Sequence, residues 1–431
     1  MIFTSQIDSS GLTITAHPEN EAEWHGYRFD GDCPAIKLVH TEVWFEHPVK
    51  TIHPDLLGML CMLLFFPFCK NRITFPQAVS AAFEEAFTKI IPPHEKIDGV
   101  FQRSGKFEIT NVDKDLKKFS GTKMALSMGG GTDSMAAHVL FPEAIMFHEL
   151  SRDNQGRVIP DDTALYINEV RAKGGEAYSI VHNGRRCITQ PTGWTTWISS
   201  AATAVLLATD LDIGYIMRGT TSESMFLRLG YGFRDLKSGE QIDPWFRVFN
   251  HIGLKHFTPV GSITEAATMK ICHDAGLLDK TVSCQSGNGG ECHKCFKCFR
   301  KNGLANALGY RTYEKSYWKG YKTEKILTQL KKQPLIVGHI YKFSLSKLHH
   351  IKWLRGYVDH LPDPEPFLLK YYEPGITLLV PEEWQDETRR RISRYVEPLT
   401  DPKSLKEWKQ TPYPVQKEKR RLFSLSRIFR M

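Results

Sequence analysis

No run in this sequence is long and apolar enough to cross a bilayer. The most apolar stretch, Leu56 to Cys69, falls short of the roughly 20 residues a span needs and carries Pro67 inside it. It reads as a buried core helix. The first residues, Met-Ile-Phe-Thr-Ser-Gln-Ile-Asp, have neither a basic nor an apolar leader segment, so a secretory signal is not expected. Repeats and low-complexity tracts are absent as well, which excludes solenoids and long linkers. Cysteine is sparse, with 9 in 431 residues, too few for a disulfide-built fold. Together these absences predict a cytoplasmic globular protein.

Charge is unevenly spread. The net charge is +8, but residues 401–431 hold nine Lys/Arg against three Asp/Glu, so the rest is near neutral. A broad nucleic-acid groove across the body is therefore not expected. The tail could contact an acidic partner, nucleic acid or a membrane surface. Its end, Arg421 to Met431, mixes Arg with large apolar residues, as a short amphipathic helix or a disordered tail would.

Four of the cysteines are concentrated in Cys284-x7-Cys292-x2-Cys295-x2-Cys298. A CxxC turn aims two thiolates at one centre, and the glycines between Cys284 and Cys292 let that loop fold back to complete four ligands. Four thiolates suit Zn²⁺ as a closed, structural centre. An iron–sulfur cluster and a pair of disulfides are the alternatives. His293, between two thiols, is not counted as a ligand. The other cysteines (Cys33, Cys61, Cys69, Cys187, Cys272) are scattered and read as buried thiols.

Three parts are expected. Residues 1–115 hold strand-like Leu12–Ala16 and Ala35–Val39, a helix from His53, a short strand Arg72–Phe75 and a helix Ala78–Lys89, an α+β arrangement. Residues 116–310 alternate between apolar strands and helices. The strands are Met124–Met128, Ile145–Phe147, Ala177–Val181, Ile213–Met217 and His256–Pro259; helical patterns cover Ala164–Lys173 and Trp197–Thr209. That alternation predicts an α/β domain with a parallel sheet. Residues 311–431 are mainly helical, with patterns at Thr323–Lys332, Leu345–His360 and Glu383–Val396.

The first of the central strands runs into Gly129-Gly130-Gly131-Thr132-Asp133-Ser134 and then a helix. Three glycines allow a sharp turn that brings backbone N–H groups to phosphate oxygens, and the helix N-terminus adds positive potential. Thr132 and Ser134 can donate hydroxyl hydrogen bonds. Asp133 suits a Mg²⁺ partner or a cap on the loop's own amides. No Lys follows in a GK[ST] pattern, so this is not a Walker A loop. Other candidates are His148 after a strand, the Arg185–Arg186 pair, Arg228 and Arg234 around a Gly-Tyr-Gly turn that could move as a lid, and Trp194, Trp197 and Trp245 as pocket walls.

The loop resembles the PP-loop, Ser-Gly-Gly-x-Asp-Ser, of the N-type ATP pyrophosphatases. Within that superfamily the chain is most similar to the 7-cyano-7-deazaguanine synthases. Residues Thr195–Thr209 and Ile213–Glu223, the Thr258–Lys270 segment with its Thr-Pro turn, and Thr281-Val-Ser-Cys284 with the later cysteines and a following base, Arg300 or Lys301, carry the likeness over roughly residues 120–310. The family's first loop Ser is Gly129 here, and Trp194-Thr-Thr-Trp197 stands where the synthases carry Arg-Asn.

The resemblance implies a PP-loop, Rossmann-like adenine-nucleotide α-hydrolase core. It implies a divergent ligase that adenylates a carboxylate with ATP and Mg²⁺, releases pyrophosphate and lets ammonia or another amine displace AMP. Gly129, Gly130, Gly131, Thr132, Asp133 and Ser134 would hold pyrophosphate and Mg²⁺, with Asp133 and Ser134 nearest the chemistry. Arg218 and Gly219 would border the nucleotide and substrate, and the four cysteines would hold zinc. A homodimer is open. Two other readings remain: a PP-loop enzyme modifying tRNA or nucleosides, and a nucleotide-binding scaffold without catalysis.

Overall fold

The computed structural model of the chain describes residues 1–26, 36–90, 108–152, 155–159, 161–189, 197–236, 243–282, 284 and 291–410. The expectations for Cys33, for Trp194, for the glycines between Cys284 and Cys292, and for the tail from Thr411 fall outside these residues, as does the side chain of Trp197.

Met124, Ala125 and Leu126 are buried, an uninterrupted apolar run of the kind that fills a central parallel strand. By contrast, Leu12, Ile14 and Ala16 alternate with more exposed residues, as in a strand with one face to the core. Both kinds join one sheet. Its strands are β1 (Ile2–Ile7), β2 (Leu12–His17), β3 (Glu42–Glu46), β4 (Lys123–Ser127), β5 (Ile145–Leu150), β6 (Ala177–His182), β7 (Ile213–Arg218) and β8 (Lys255–Phe257). Across the sheet they run β1-β2-β3-β6-β5-β4-β7-β8. The five from β6 to β8 pair in parallel. β1, β2 and β3 extend that core in antiparallel fashion, with β3 against β6 through Val181↔Glu46 and His182↔Phe45.

The earliest parallel strand, β4, lies inside the core between β5 and β7, so the chain builds first to one side and then to the other. The carboxyl ends of β4 and β7 thus flank a topological switch point, where such sheets bind ligands.

α1 (Pro54–Phe65) begins at His53, whose Nδ1 accepts a hydrogen bond from the Asp55 amide at 3.2 Å, with Pro54 in the first turn. It is buried on all sides from Asp55 to Phe65, as its composition requires. α2 (Thr132–Leu140) follows the glycine loop, and α3 (Asp162–Ala172) connects β5 to β6. The crossover from β6 to β7 contains α4 (Ala202–Leu206), packed on α1; α5 (Pro244–His251) precedes β8. α6 (Glu265–Asp274) packs along α2, and α7 (Phe296–Ala307) packs along α8 (Gly338–Lys347). α9 (Glu382–Ile392) returns to the sheet, where Glu383 accepts from the Tyr215 hydroxyl at 2.7 Å. Buried side chains from Met1 to Trp408 form one contiguous cluster. Among the described residues no helix is long and apolar enough to cross a membrane.

The helix expected over Leu345–His360 differs. α8 stops at Lys347, and a 3-10 turn, Lys352–Leu354, follows. Leu345, Leu348, Ile351 and Leu354 are nonetheless all buried. Their three-residue spacing marks core-facing positions, which a 3-10 turn satisfies as well as an α-helix does.

Candidate functional site: a glycine loop beside a cysteine centre

The loop at the switch point owes its shape to contacts that exclude side chains. Gly130 has φ +72, and a Cβ there would collide with Thr163 Oγ1. Gly219, just after β7, lies so close to the first turn of α2 that a Cβ would collide with the Ser134 amide nitrogen. The space over Gly129 is open; a Cβ there would meet nothing within 4 Å.

α2 differs from its neighbours at its start. Asp161 caps α3 by accepting from the Ala164 amide at 2.8 Å, and Thr264 caps α6 by accepting from the Ala267 amide at 3.3 Å. Gly131, the residue preceding α2, supplies no side-chain cap. Among the described residues the first amides of α2 are therefore left as donors, the feature that makes a helix start attractive to anions.

Side chains brought from far along the chain surround this turn. Thr268 of α6 donates to Asp133 Oδ1 at 2.8 Å, and the Thr132 hydroxyl donates to the same oxygen at 3.2 Å. Asp133 Oδ2 has no partner among the described residues. Ser134 Oγ turns back to donate to the Gly131 carbonyl at 3.2 Å. The Lys301 ammonium donates to Thr132 Oγ1 and lies 3.7 Å from Asp133 and 3.1 Å from Glu265. Arg300 completes the set, with Nε donating to Glu265 Oε1 at 3.1 Å and Nη2 3.1 Å from Oε2.

Glu265 is almost wholly buried. Burial alone would raise its pKa, but Arg300 and Lys301 reverse the effect and bring it to about 2. Lys297, one turn before Lys301 on α7, is half-buried; burial and then the charges of Lys301 and Arg300 lower its pKa.

The cysteines lie next to this cluster. The sulfurs of Cys284, Cys292, Cys295 and Cys298 are all within 4.8 Å of one another. Tetrahedral Zn²⁺ with Zn–S of about 2.3 Å needs sulfurs about 3.8 Å apart, so a small closure completes the site. The Cys295 amide donates to Cys292 Sγ and the Cys298 amide to Cys295 Sγ, each at 3.3 Å, which orients the sulfurs and starts α7. Burial, followed by the neighbouring Cys295 and Cys284 sulfurs, pushes the Cys298 thiol up. A divalent cation would relieve that crowding, so the donor set fits a metal such as zinc, with no open position for chemistry. Two ties join the centre to the glycine loop. The Val282 amide donates to the Gly130 carbonyl at 2.7 Å, and α7 carries Lys301 to Thr132.

Arg218 ends β7 and donates to Ser200 Oγ at 2.8 Å; burial lowers its guanidinium to about 10 against the opposing charges of Glu149 and Asp243. His148 is a brace between elements. Its Nδ1 is 2.9 Å from the Met128 carbonyl and its Nε2 is 3.0 Å from Asp161.

Arg185 reaches Glu149 at 2.8 Å, and Arg186 reaches the Arg152 carbonyl. The Gly-Tyr-Gly turn, a candidate lid, is held at its first glycine, where the Gly230 carbonyl accepts from Trp408 Nε1 at 3.1 Å and Gln410 Nε2 at 2.6 Å. Arg234 likewise donates to the Met225 carbonyl at 2.8 Å. Trp245 is core, edge-on to Phe66 at 5.1 Å. His293 is exposed beside Tyr317 and is not among the clustered ligand atoms. Two buried single thiols are held protonated: burial pushes Cys187 up to about 12, and it pushes Cys272 higher still, beneath the Thr132 carbonyl and close to Asp133.

Sequence reasoning did not single out Glu265, Thr268 or Lys297. Thr264-Glu265 reads locally as a helix start, which hides the carboxylate's second partnership with Arg300 and Lys301.

Residues 244–409 match a family of unknown function (DUF6395). The match takes in Glu265, the cysteines and the α7 cations but not the glycine loop. No curated protein matches the chain.

Proposed function

We propose that the chain is an ATP-dependent enzyme of the PP-loop type, which transfers the adenylyl group of ATP to a carboxylate and releases pyrophosphate. Ammonia or another amine then displaces AMP to form a C–N bond. One observation carries the reading: the two motifs behind the family resemblance, far apart in sequence, meet through Lys301 on Thr132 and Val282 on Gly130. The uncapped start of α2 and the cations of α7 support an anion at this point, where N–H donors and positive charge can stabilise a leaving pyrophosphate.

In this reading Asp133, held at Oδ1 by Thr268 and Thr132, offers Oδ2 to Mg²⁺. The metal, when bound, would neutralise charge on the leaving group. One carboxylate plus phosphate oxygens is an ordinary donor set for Mg²⁺. In this reading Arg218 and Gly219 would border the nucleotide and substrate from the end of β7, where Gly219 lies against the first turn of α2. The substrate is a small carboxylate in this proposal.

A second reading, a nucleotide-binding scaffold, is favoured by Gly129, which brings no hydroxyl to the loop, and by Glu265, whose one negative charge offsets part of the charge of Arg300 and Lys301. A tRNA-thiolating enzyme is less well supported, because Cys187 and Cys272 are buried and held protonated.

The test is AMP and pyrophosphate release from Mg·ATP by zinc-loaded protein, with a carboxylate panel and ammonium, beside Asp133→Ala. The expected result is carboxylate-dependent AMP that the variant abolishes. ATP binding with no AMP under any of these conditions would favour the scaffold, and absence of ATP binding would refute both readings.

A further inference from the structure

Three cations leave α7 near the glycine loop, and they are not equivalent. Arg300 is committed to both carboxylate oxygens of Glu265 through Nε and Nη2, at 3.1 Å each. Lys301 is committed to Thr132 and Glu265, and only 6% of its side chain is exposed. These two hold α6, α7 and the first turn of α2 together, and their charge is met by the buried carboxylate of Glu265 and, at 3.7 Å from Lys301, by Asp133.

Lys297 precedes Lys301 by four residues, so it lies on the same stripe of the helix, one turn nearer the N-terminal end. It is half-buried, yet among the described residues no carboxylate lies within ion-pair distance of its ammonium and no acceptor within hydrogen-bond distance. A lysine partly withdrawn from water without an anion is unfavourable unless something supplies the anion. The charges of Asp133 and Glu265 reach it, and the turn that carries Asp133 has the uncapped start of α2 and a Gly129 open to the exterior.

We propose that Lys297 is the cation that contacts a phosphate group of the ligand held by the glycine loop, while Arg300 and Lys301 are positioning residues that set the loop through Glu265 and Thr132. This rests on the reading of the loop as a phosphate site and deepens it, since it assigns the ligand contact to the base between the last two cysteines rather than to those following them. Lysine suits the role as a compact point charge on a flexible stem, able to follow a phosphate that changes position.

The test uses full-length zinc-loaded protein and calorimetric binding of Mg·ATP and of inorganic pyrophosphate with Mg²⁺. Lys297→Met keeps the apolar stem and removes the charge; Lys297→Arg keeps the charge. The expected result is a loss of about ten- to a hundredfold in affinity for both probes in Lys297→Met, the size of one charge-assisted contact. Lys297→Arg should recover much of it, with zinc content and Tm at the wild-type level in both variants. If wild type binds and Lys297→Met binds equally well, the proposal is overturned while the phosphate-site reading stands. Loss of zinc from Lys297→Met would also overturn it, because the lysine would then serve the thiolates. Failure of wild type to bind either probe would refute the phosphate site itself, and this inference with it.

Discussion

Replacing Glu265 by Gln keeps the shape of the side chain and removes the charge on which Arg300 and Lys301 converge. The magnitude follows from the site. The carboxyl is brought from its ordinary 4.5 to about 2, and at 1.36 kcal/mol per pH unit that is about 3 kcal/mol of stability. Solvent screening takes little away, since the side chains of Glu265, Lys301 and Arg300 are only 5%, 6% and 16% exposed. Loss of one member of a buried ion cluster typically costs about 3–5 kcal/mol, which agrees.

The pH dependence has a definite sign. The folded pKa lies below the unfolded one, so the contribution is complete above about pH 4.5 and is lost as pH falls through about 2. Urea denaturation followed by circular dichroism, at pH 7 and in steps down to pH 3, measures both features. Glu265→Gln should lower the unfolding free energy at pH 7 by about 3 kcal/mol, and its curve should lack part of the wild-type fall below pH 4.5. A variant within about 0.5 kcal/mol of wild type at pH 7, with an unchanged acid limb, would refute the claim that this carboxylate holds the cluster together.

Other outcomes follow from the same geometry. Purified protein should carry one zinc per chain by elemental analysis, and Cys295→Ser should lose it, with a fall of several degrees in Tm; undiminished zinc in the variant would remove Cys295 from the ligand set. Gly219→Ala should cost about 1–3 kcal/mol, the usual range for overpacking, and should weaken ATP binding, because the new methyl drives the Ser134 amide from its place. Calorimetry together with urea denaturation reads both effects, and a stable variant with wild-type affinity would show that the loop after β7 is not held against α2.

How much was legible in the sequence can be seen residue by residue. Met124–Leu126 and Ile213–Met217 announce themselves as strands because they are short, apolar and bounded by turns. α1 announces itself through His53, Pro54 and the apolar run beyond. The four cysteines were legible for a similar reason, since chelation by a CxxC turn is a local geometric requirement. The Gly-Gly-Gly-Thr-Asp-Ser loop could be placed between a strand and a helix from its neighbours alone.

Local pattern could not tell that β3 pairs with β6 and so draws the opening residues into the central sheet. Edge pairing depends on which strand lies within hydrogen-bonding reach, and Glu46 and Val181 are distant in sequence. Nor could it tell that the turn after Arg228 is clamped by Trp408 and Gln410.

The sequence by itself determined the alternation of strands and helices, the presence of a glycine loop and the grouping of four thiols, because each arises from interactions among near neighbours. Only the tertiary structure decided that Thr268 and Lys301 reach Asp133 and Thr132, with Glu265 and Arg300 joined to them through Lys301. Their partners lie in other parts of the chain, and a buried charge is stable only where folding has delivered its counter-charge.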